Sequence, residues 1–131
     1  MLDWLKRRAV VFVASTQLGL SDASKYWQSV GQPALMGQSW CGAFTLWALH
    51  KVGIARNVMW QVGSGYLSHF PITTTPKPGD IAYFDKYEHE AIVSKVAGST
   101  VNLINGNGTG GKVTASTVPI STVKAFYNVI G

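Results

Sequence analysis

A chain of 131 residues, 47% apolar and 13% charged, has the material for one domain with a real core and is not the composition of a disordered segment. A single cysteine excludes an internal disulfide framework, and without a second cysteine or clustered histidines the chain offers no zinc site. The net charge of +5 suits a polyanionic partner, yet beyond Lys6, Arg7 and Arg8 the basic residues are scattered. No basic stripe interleaved with aromatics is present, which argues against nucleic acid and leaves an anionic membrane surface or an acidic cell-wall polymer.

In chain order, the first expected element is a helix from Asp3 to about Leu18. It carries apolar positions at Leu5, Ala9, Phe12, Val13 and Leu18, with Asp3 as a cap and Gly19 as a stop. The apolar run Ala9 to Ala14 after the basic cluster is too short for a signal peptide and reads as part of that helix. No run is long enough to span a membrane. A short second helix starts at Ser21-Asp22-Ala23-Ser24 and passes through Tyr26 and Trp27. Gly31, Pro33 and Gly37 mark a loop. A third helix runs from about Trp40 to Lys51, with Ser39 as N-cap and Gly53 as terminator. Residues 54 to 79 are irregular by composition, punctuated by Gly63, Gly65, Pro71, Pro76 and Pro78, with a short helix around Gly65 to Phe70. Strands follow at Ile81–Phe84, Ala91–Val96, Val101–Asn105, Lys112–Ala115 and Val123–Val129. Gly106 to Gly111 is a glycine-rich turn, since it lacks the lysine and following helix of a phosphate loop. Helices first and strands second predict an α+β fold with an antiparallel sheet, in a single domain over residues 1–131.

Cys41 falls in the first turn of the third helix. Backbone N–H groups there have no intrahelical partner, and the positive end of the helix dipole favours the thiolate, the nucleophilic form of the side chain. The same N–H groups can receive an oxyanion. A lone cysteine is more often an inert buried residue. Catalysis requires a base, normally histidine, and a group that orients it. His50 lies nine residues after Cys41 in the same helix, on the opposite face at ~100° per residue, and cannot serve it. His69 sits in the irregular segment. His89 opens a strand and is the better partner. Val101, Leu103 and Asn105 share one strand face, so Asn105 needs a polar partner there, and an imidazole N–H would be one. Asn105 and Asn107 also read as turn residues before glycines.

These residues together resemble the CHAP group (cysteine, histidine-dependent amidohydrolase/peptidase), relatives of the NlpC-type and papain-like enzymes. Trp40-Cys41-Gly42-Ala43-Phe44 is similar to the cysteine block of that family. Lys77-Pro78-Gly79-Asp80-Ile81-Ala82-Tyr83-Phe84 is similar to its P-G-D-I strand, and His89-Glu90-Ala91-Ile92-Val93 to its histidine strand. Leu103-Ile104-Asn105-Gly106-Asn107 is similar to its E-G-N ending, with asparagine in the acidic place.

The resemblance implies a papain-like fold, with N-terminal helices packed on a C-terminal antiparallel sheet, and amide-bond cleavage in peptidoglycan without a cofactor. By that likeness Cys41 is the nucleophile and His89 the base, while the orienting role falls to Asn105 or Asn107. Gln38 is the nearest match for an oxyanion glutamine, beside the Cys41 backbone N–H. Trp47, Trp60 and Tyr66 are candidate aromatics for a substrate groove, with core packing the commoner fate for any one of them, and Gln38, Trp40 and Tyr66 form the expected substrate-binding set. The enzyme is expected to act as a monomer on the cell wall, in the periplasm or outside the cell, after delivery. An inhibitory immunity protein is implied if it is a delivered toxin. The departure at Asn105 also motivates a second reading, a catalytically silent wall-binding or phage-tail module.

Overall fold

The computed structural model describes residues 2–35, 38–60 and 64–130. Gly37 and Gly63, expected as loop punctuation, lie outside them. The helix that begins at the cysteine, α3 (Cys41–Lys51), is apolar on nearly every side, and a helix of that kind belongs in an interior. Every residue from Cys41 to Leu49 is buried. Tyr26 packs edge-on against Phe44 and Trp47, with ring centroids 5.2 and 4.9 Å apart.

The N-terminus of α3 differs from the expectation. Trp40, not Ser39, occupies the N-cap, with φ −114° and no side-chain capping bond. Ser39 lies one residue outside, and its hydroxyl accepts a hydrogen bond from Asn107 instead. At the other end, Gly53 takes φ 82°, the left-handed conformation that commonly closes a helix. The His50 ring nitrogen Nε2 sits 2.9 Å from the Ala55 carbonyl and 3.1 Å from that of Val58, tying down the chain that leaves the helix.

Two further helices flank α3. α1 (Asp3–Ser15) ends earlier than its apolar pattern predicts, and α2 spans Ser24–Ser29. The buried face of α1 is Arg7, Val10 and Ala14, while Leu5 and Phe12 are exposed. An arginine displaces the expected apolar stripe because Asp80 waits for it. Arg7 Nη1 donates to Asp80 Oδ1 at 2.6 Å and to the Pro78 carbonyl at 3.2 Å, and Nη2 donates to Asn128 at 2.9 Å. The Asp80 carboxylate also accepts from the backbone N–H groups of Lys77 and Val129. Gly79 stands at φ 92°, and a Cβ there would meet the Arg7 backbone at 3.2 Å. The Pro78-Gly79-Asp80 turn is therefore the joint between α1 and the sheet.

Among the described residues, six strands form one antiparallel sheet: β1 (Ile72–Thr73), β2 (Ile81–Phe84), β3 (His89–Ala97), β4 (Thr100–Asn105), β5 (Thr114–Pro119) and β6 (Ala125–Tyr127). Their spatial order is β1-β6-β2-β3-β4-β5. Ile81, Ile92 and Ile104 align across β2, β3 and β4 and pack in the same core as the helices. Alternate residues turn the other way. Ala82, Ala91, Val93, Val101, Leu103 and Phe126 form a second, smaller cluster built by the strands. Helices on one face of an antiparallel sheet give the expected α+β class. β1 was not expected; it lies in the turn-rich connector and exists by pairing Ile72 with Tyr127.

Candidate functional site

β3 and β4 run antiparallel, so the first residue of one lies beside the last residue of the other. That brings His89 to Asn105. His89 Nε2 is 2.8 Å from Asn105 Oδ1. With Asn105 as acceptor, the proton sits on Nε2 and leaves Nδ1 free to act as a base. The other half of the amide is also used. Asn105 Nδ2 donates to the Thr114 carbonyl at 3.3 Å and to Ser116 Oγ at 2.9 Å. A carboxylate would have no donor for the Thr114 carbonyl, which gives a physical reason for an asparagine at this position. On the near side, the Phe84 ring lies 5.9 Å from the imidazole, centroid to centroid.

Cys41 enters from the opposite direction as the first residue of α3, which packs on β3. Its side chain is 5% exposed. Together with His89, Asn105, Asn107 and Ser116 it lines a cleft of about 390 Å³. The sulfur lies 3.4 Å from Glu90 Oε2, 3.7 Å from the Glu88 carbonyl and 4.0 Å from Ser39 Oγ. Among the described residues no hydrogen bond joins Cys41 to His89. Catalytic hydrogen bonds of unliganded enzymes are often long and tighten with substrate.

Adjacent strand residues face opposite ways, so His89 and Glu90 straddle β3. His89 shares the cleft with Leu103 and Val118, on the strand-built side. Glu90 turns toward the helices and lines a second cleft of about 330 Å³ with Gln38, Gly42 and Trp60. Cys41 borders both. A third, of about 420 Å³, is lined by Ser21, Asp22, Ser24, Gln38, Trp40 and Asn107, with Ser39 shared by all three. A carbonyl held over Cys41 thus has room for chemical groups on more than one side.

The remaining expected residues divide. Asn107, at φ 53°, hydrogen-bonds Ser39 at 3.3 Å and borders the cysteine cleft, so Asn105 is the asparagine that touches His89. Gln38 is exposed at the mouth of the second and third clefts. Trp40 is 7% exposed and lines the third cleft, while its ring stacks on Tyr26. Tyr66 does not line an open groove. It is fully buried, and burial, with the neighbouring Glu90 and Cys41 charges, holds its hydroxyl well above the ordinary tyrosine range. Trp47 is also buried, in the aromatic core. His69 is exposed and lines none of these clefts.

Sequence reasoning missed Glu90. It is 2% exposed, and burial first, then the Cys41 sulfur beside it, pushes its carboxyl up to about 9. The available signal was an acidic residue at an inward position of a strand whose next residues are Ala91, Ile92 and Val93.

Among the described residues no helix is long and apolar enough to cross a membrane, and no cluster of three or more His, Cys, Asp or Glu side chains is placed to hold a metal. A comparison with curated proteins finds no match. The family profile described as CHAP domain matches residues 33–107, more than half of the chain, from the loop before α3 to the end of the Asn105-Gly106-Asn107 turn. Membership implies, at family level, amidase or peptidase activity on peptidoglycan. The matched span carries Cys41, His89, Asn105 and Asn107, and the chain belongs to the CHAP family.

Proposed function

We propose that this CHAP domain cleaves an amide bond of peptidoglycan, with Cys41 as nucleophile, His89 as general base and acid, and Asn105 as the group that orients the imidazole. The observation that carries the reading is the cleft lined by both the helix N-terminal thiol and a histidine hydrogen-bonded to Asn105. In the first half-reaction His89 Nδ1 takes the proton of the Cys41 thiol. The thiolate attacks the amide carbonyl, and the negative charge on that oxygen faces the Cys41 backbone N–H, with Gln38 lining the adjoining cleft that Cys41 also borders. The imidazolium then protonates the departing nitrogen as the C–N bond breaks, leaving a thioester on Cys41 and a free amine. In the second half, His89 removes a proton from water, the hydroxide adds to the thioester, and the C–S bond breaks. The products are a carboxylate and the restored thiol.

The excess positive charge, +5 over the chain, favours approach to an anionic wall. The alternative of a silent wall-binding or tail module drew its support from asparagine replacing the acid. The two-sided bonding of Asn105 supports the active reading, because the amide still serves the imidazole. Mass spectrometry of digested peptidoglycan tests the substrate bond. New muramic acid termini with free L-alanine amines identify an N-acetylmuramoyl-L-alanine amidase, and cleaved cross-bridges or stems identify an endopeptidase. Intact wall after incubation with folded protein returns the silent module.

A further inference from the structure

Glu90 has no part in the cycle just described, yet it makes the shortest of the three hydrogen-bond contacts described for the sulfur, with Oε2 3.4 Å from Cys41 Sγ. Its surroundings are built around it. A Cβ on Gly42 would stand 3.2 Å from Glu90 Oε1, 2.9 Å from Trp60 Nε1 and 3.3 Å from the Tyr66 ring. Glycine at position 42 therefore leaves the space that the carboxyl group fills beneath the start of α3. Oε1 has no hydrogen-bond partner among the described residues, and no arginine or lysine pairs with the group. A buried, unpaired carboxylate is costly, and such a group takes up a proton instead.

We propose that Glu90 is a further residue of the catalytic machinery: a neutral carboxylic acid whose O–H hydrogen-bonds the Cys41 sulfur and stabilises the thiolate. This deepens the cysteine-hydrolase reading and rests on it. The logic is one of donors. A thiolate at a helix N-terminus can accept from backbone N–H groups on one side, and a neutral acid supplies a second, side-chain donor from the sheet side. A neutral donor stabilises the anion without adding charge, so the thiolate does not compete with a carboxylate for the proton on His89.

The titratable groups that face Glu90 come from every side. Cys41 lies on α3, Tyr66 on the turn Gly65–His69, Tyr83 on β2, and Glu88 and His89 just before it in the chain. Burial is the largest cause holding its carboxyl at about 9, followed by the Cys41 charge, and His89 opposes the shift. At neutral pH the proton is therefore on Glu90.

The test reads Cys41, the one cysteine in the chain, by its alkylation with iodoacetamide, which needs no wall substrate. Glu90→Ala, checked for folding by circular dichroism, is expected to slow alkylation at pH 7 about tenfold. Glu90→Gln, whose amide still donates to sulfur, is expected to recover most of that loss, whereas Glu90→Met, which fills the space without a donor, is not, and equal recovery by both would overturn the proposal. The chain has two glutamates, Glu88 and Glu90. In ¹³C-glutamate-labelled wild type, the carboxyl signal removed by Glu90→Gln is expected to stay protonated at pH 7, which holds the proposal testable even if the alanine variant does not fold. A Glu90 signal already ionised at pH 7, or alkylation that is unchanged or faster in Glu90→Ala, would overturn the proposal. Wall digestion measured in parallel separates the two claims, since a protein that digests wall normally without Glu90 defeats this inference and leaves the hydrolase reading standing.

Discussion

Asn105 holds His89 with its oxygen, at 2.8 Å, and strand β5 with its nitrogen, at 2.9 Å from Ser116 Oγ. One side chain thus sets both the tautomer of the imidazole and the position of the strand beneath it. Asn105→Ala frees the ring, and the loss expected in kcat is about a hundredfold with little change in KM. Asn105→Asp keeps the acceptor for His89 but faces the Thr114 carbonyl without a donor. It is expected to retain more activity than the alanine variant while losing about 1–3 kcal/mol of stability. Steady-state kinetics and thermal melts of the two variants check both halves, and equal activity in alanine and wild type would remove Asn105 from the site.

The acid at Glu90 has a consequence for stability. Its carboxyl lies at about 9 in the folded protein against an ordinary 4.5. Between those values the native state binds more protons than the unfolded state, so this group makes stability fall as pH rises through that window. Glu90→Gln cannot ionise. Its melting temperature is expected to exceed that of wild type by a margin that grows from about pH 5 to about pH 9. Melts of wild type and variant that run parallel across that range would contradict the assignment.

Asp80 accepts from Arg7, Lys77 and Val129 while 1% exposed. Removing it strands the Arg7 guanidinium inside the joint between α1 and the sheet. Asp80→Ala is expected to cost about 3–5 kcal/mol, read as a drop in the denaturant midpoint. A change within ~0.5 kcal/mol, the usual range for a surface substitution, would mean that Arg7 finds water or another partner.

Gly106 carries a packing demand of its own. A Cβ at this position would stand 2.5 Å from the Phe44 Cβ, inside the contact between the β4 turn and α3. Gly106→Ala must push the turn off the helix and is expected to cost about 1–3 kcal/mol. Because Asn105 and Asn107 flank the glycine, kcat is expected to fall along with the melting temperature. An unchanged enzyme would show that the contact yields easily.

The parts legible in the sequence were those set by local period and order. The change from helical spacing to strand alternation near Ile81 gave the α+β class, and the shared face of Val101, Leu103 and Asn105 pointed to a polar partner for the asparagine. What local pattern cannot hold is what tertiary packing adds. Ser39 is a good capping residue by type, yet its hydroxyl is taken by Asn107, from the far end of the β4 turn. Leu5 and Phe12 read as core positions, but the Arg7–Asp80 joint rotates α1 so that they face out. β1 is two residues long and has no alternation to detect. Tyr66 could not be told from a groove aromatic without knowing that α3 and Glu90 cover it. Glu90 itself sits next to the histidine in sequence but across the strand from it, and only the start of α3 brings a sulfur to that side.

Whether Cys41 carries the reaction is read from the release of soluble fragments from purified peptidoglycan by wild type, Cys41→Ala and His89→Ala at equal concentration. With all three proteins folded, wild type is expected to release fragments, the cysteine variant none above background, and the histidine variant at least about a hundredfold less than wild type. Release by Cys41→Ala at the wild-type rate would contradict that role for Cys41.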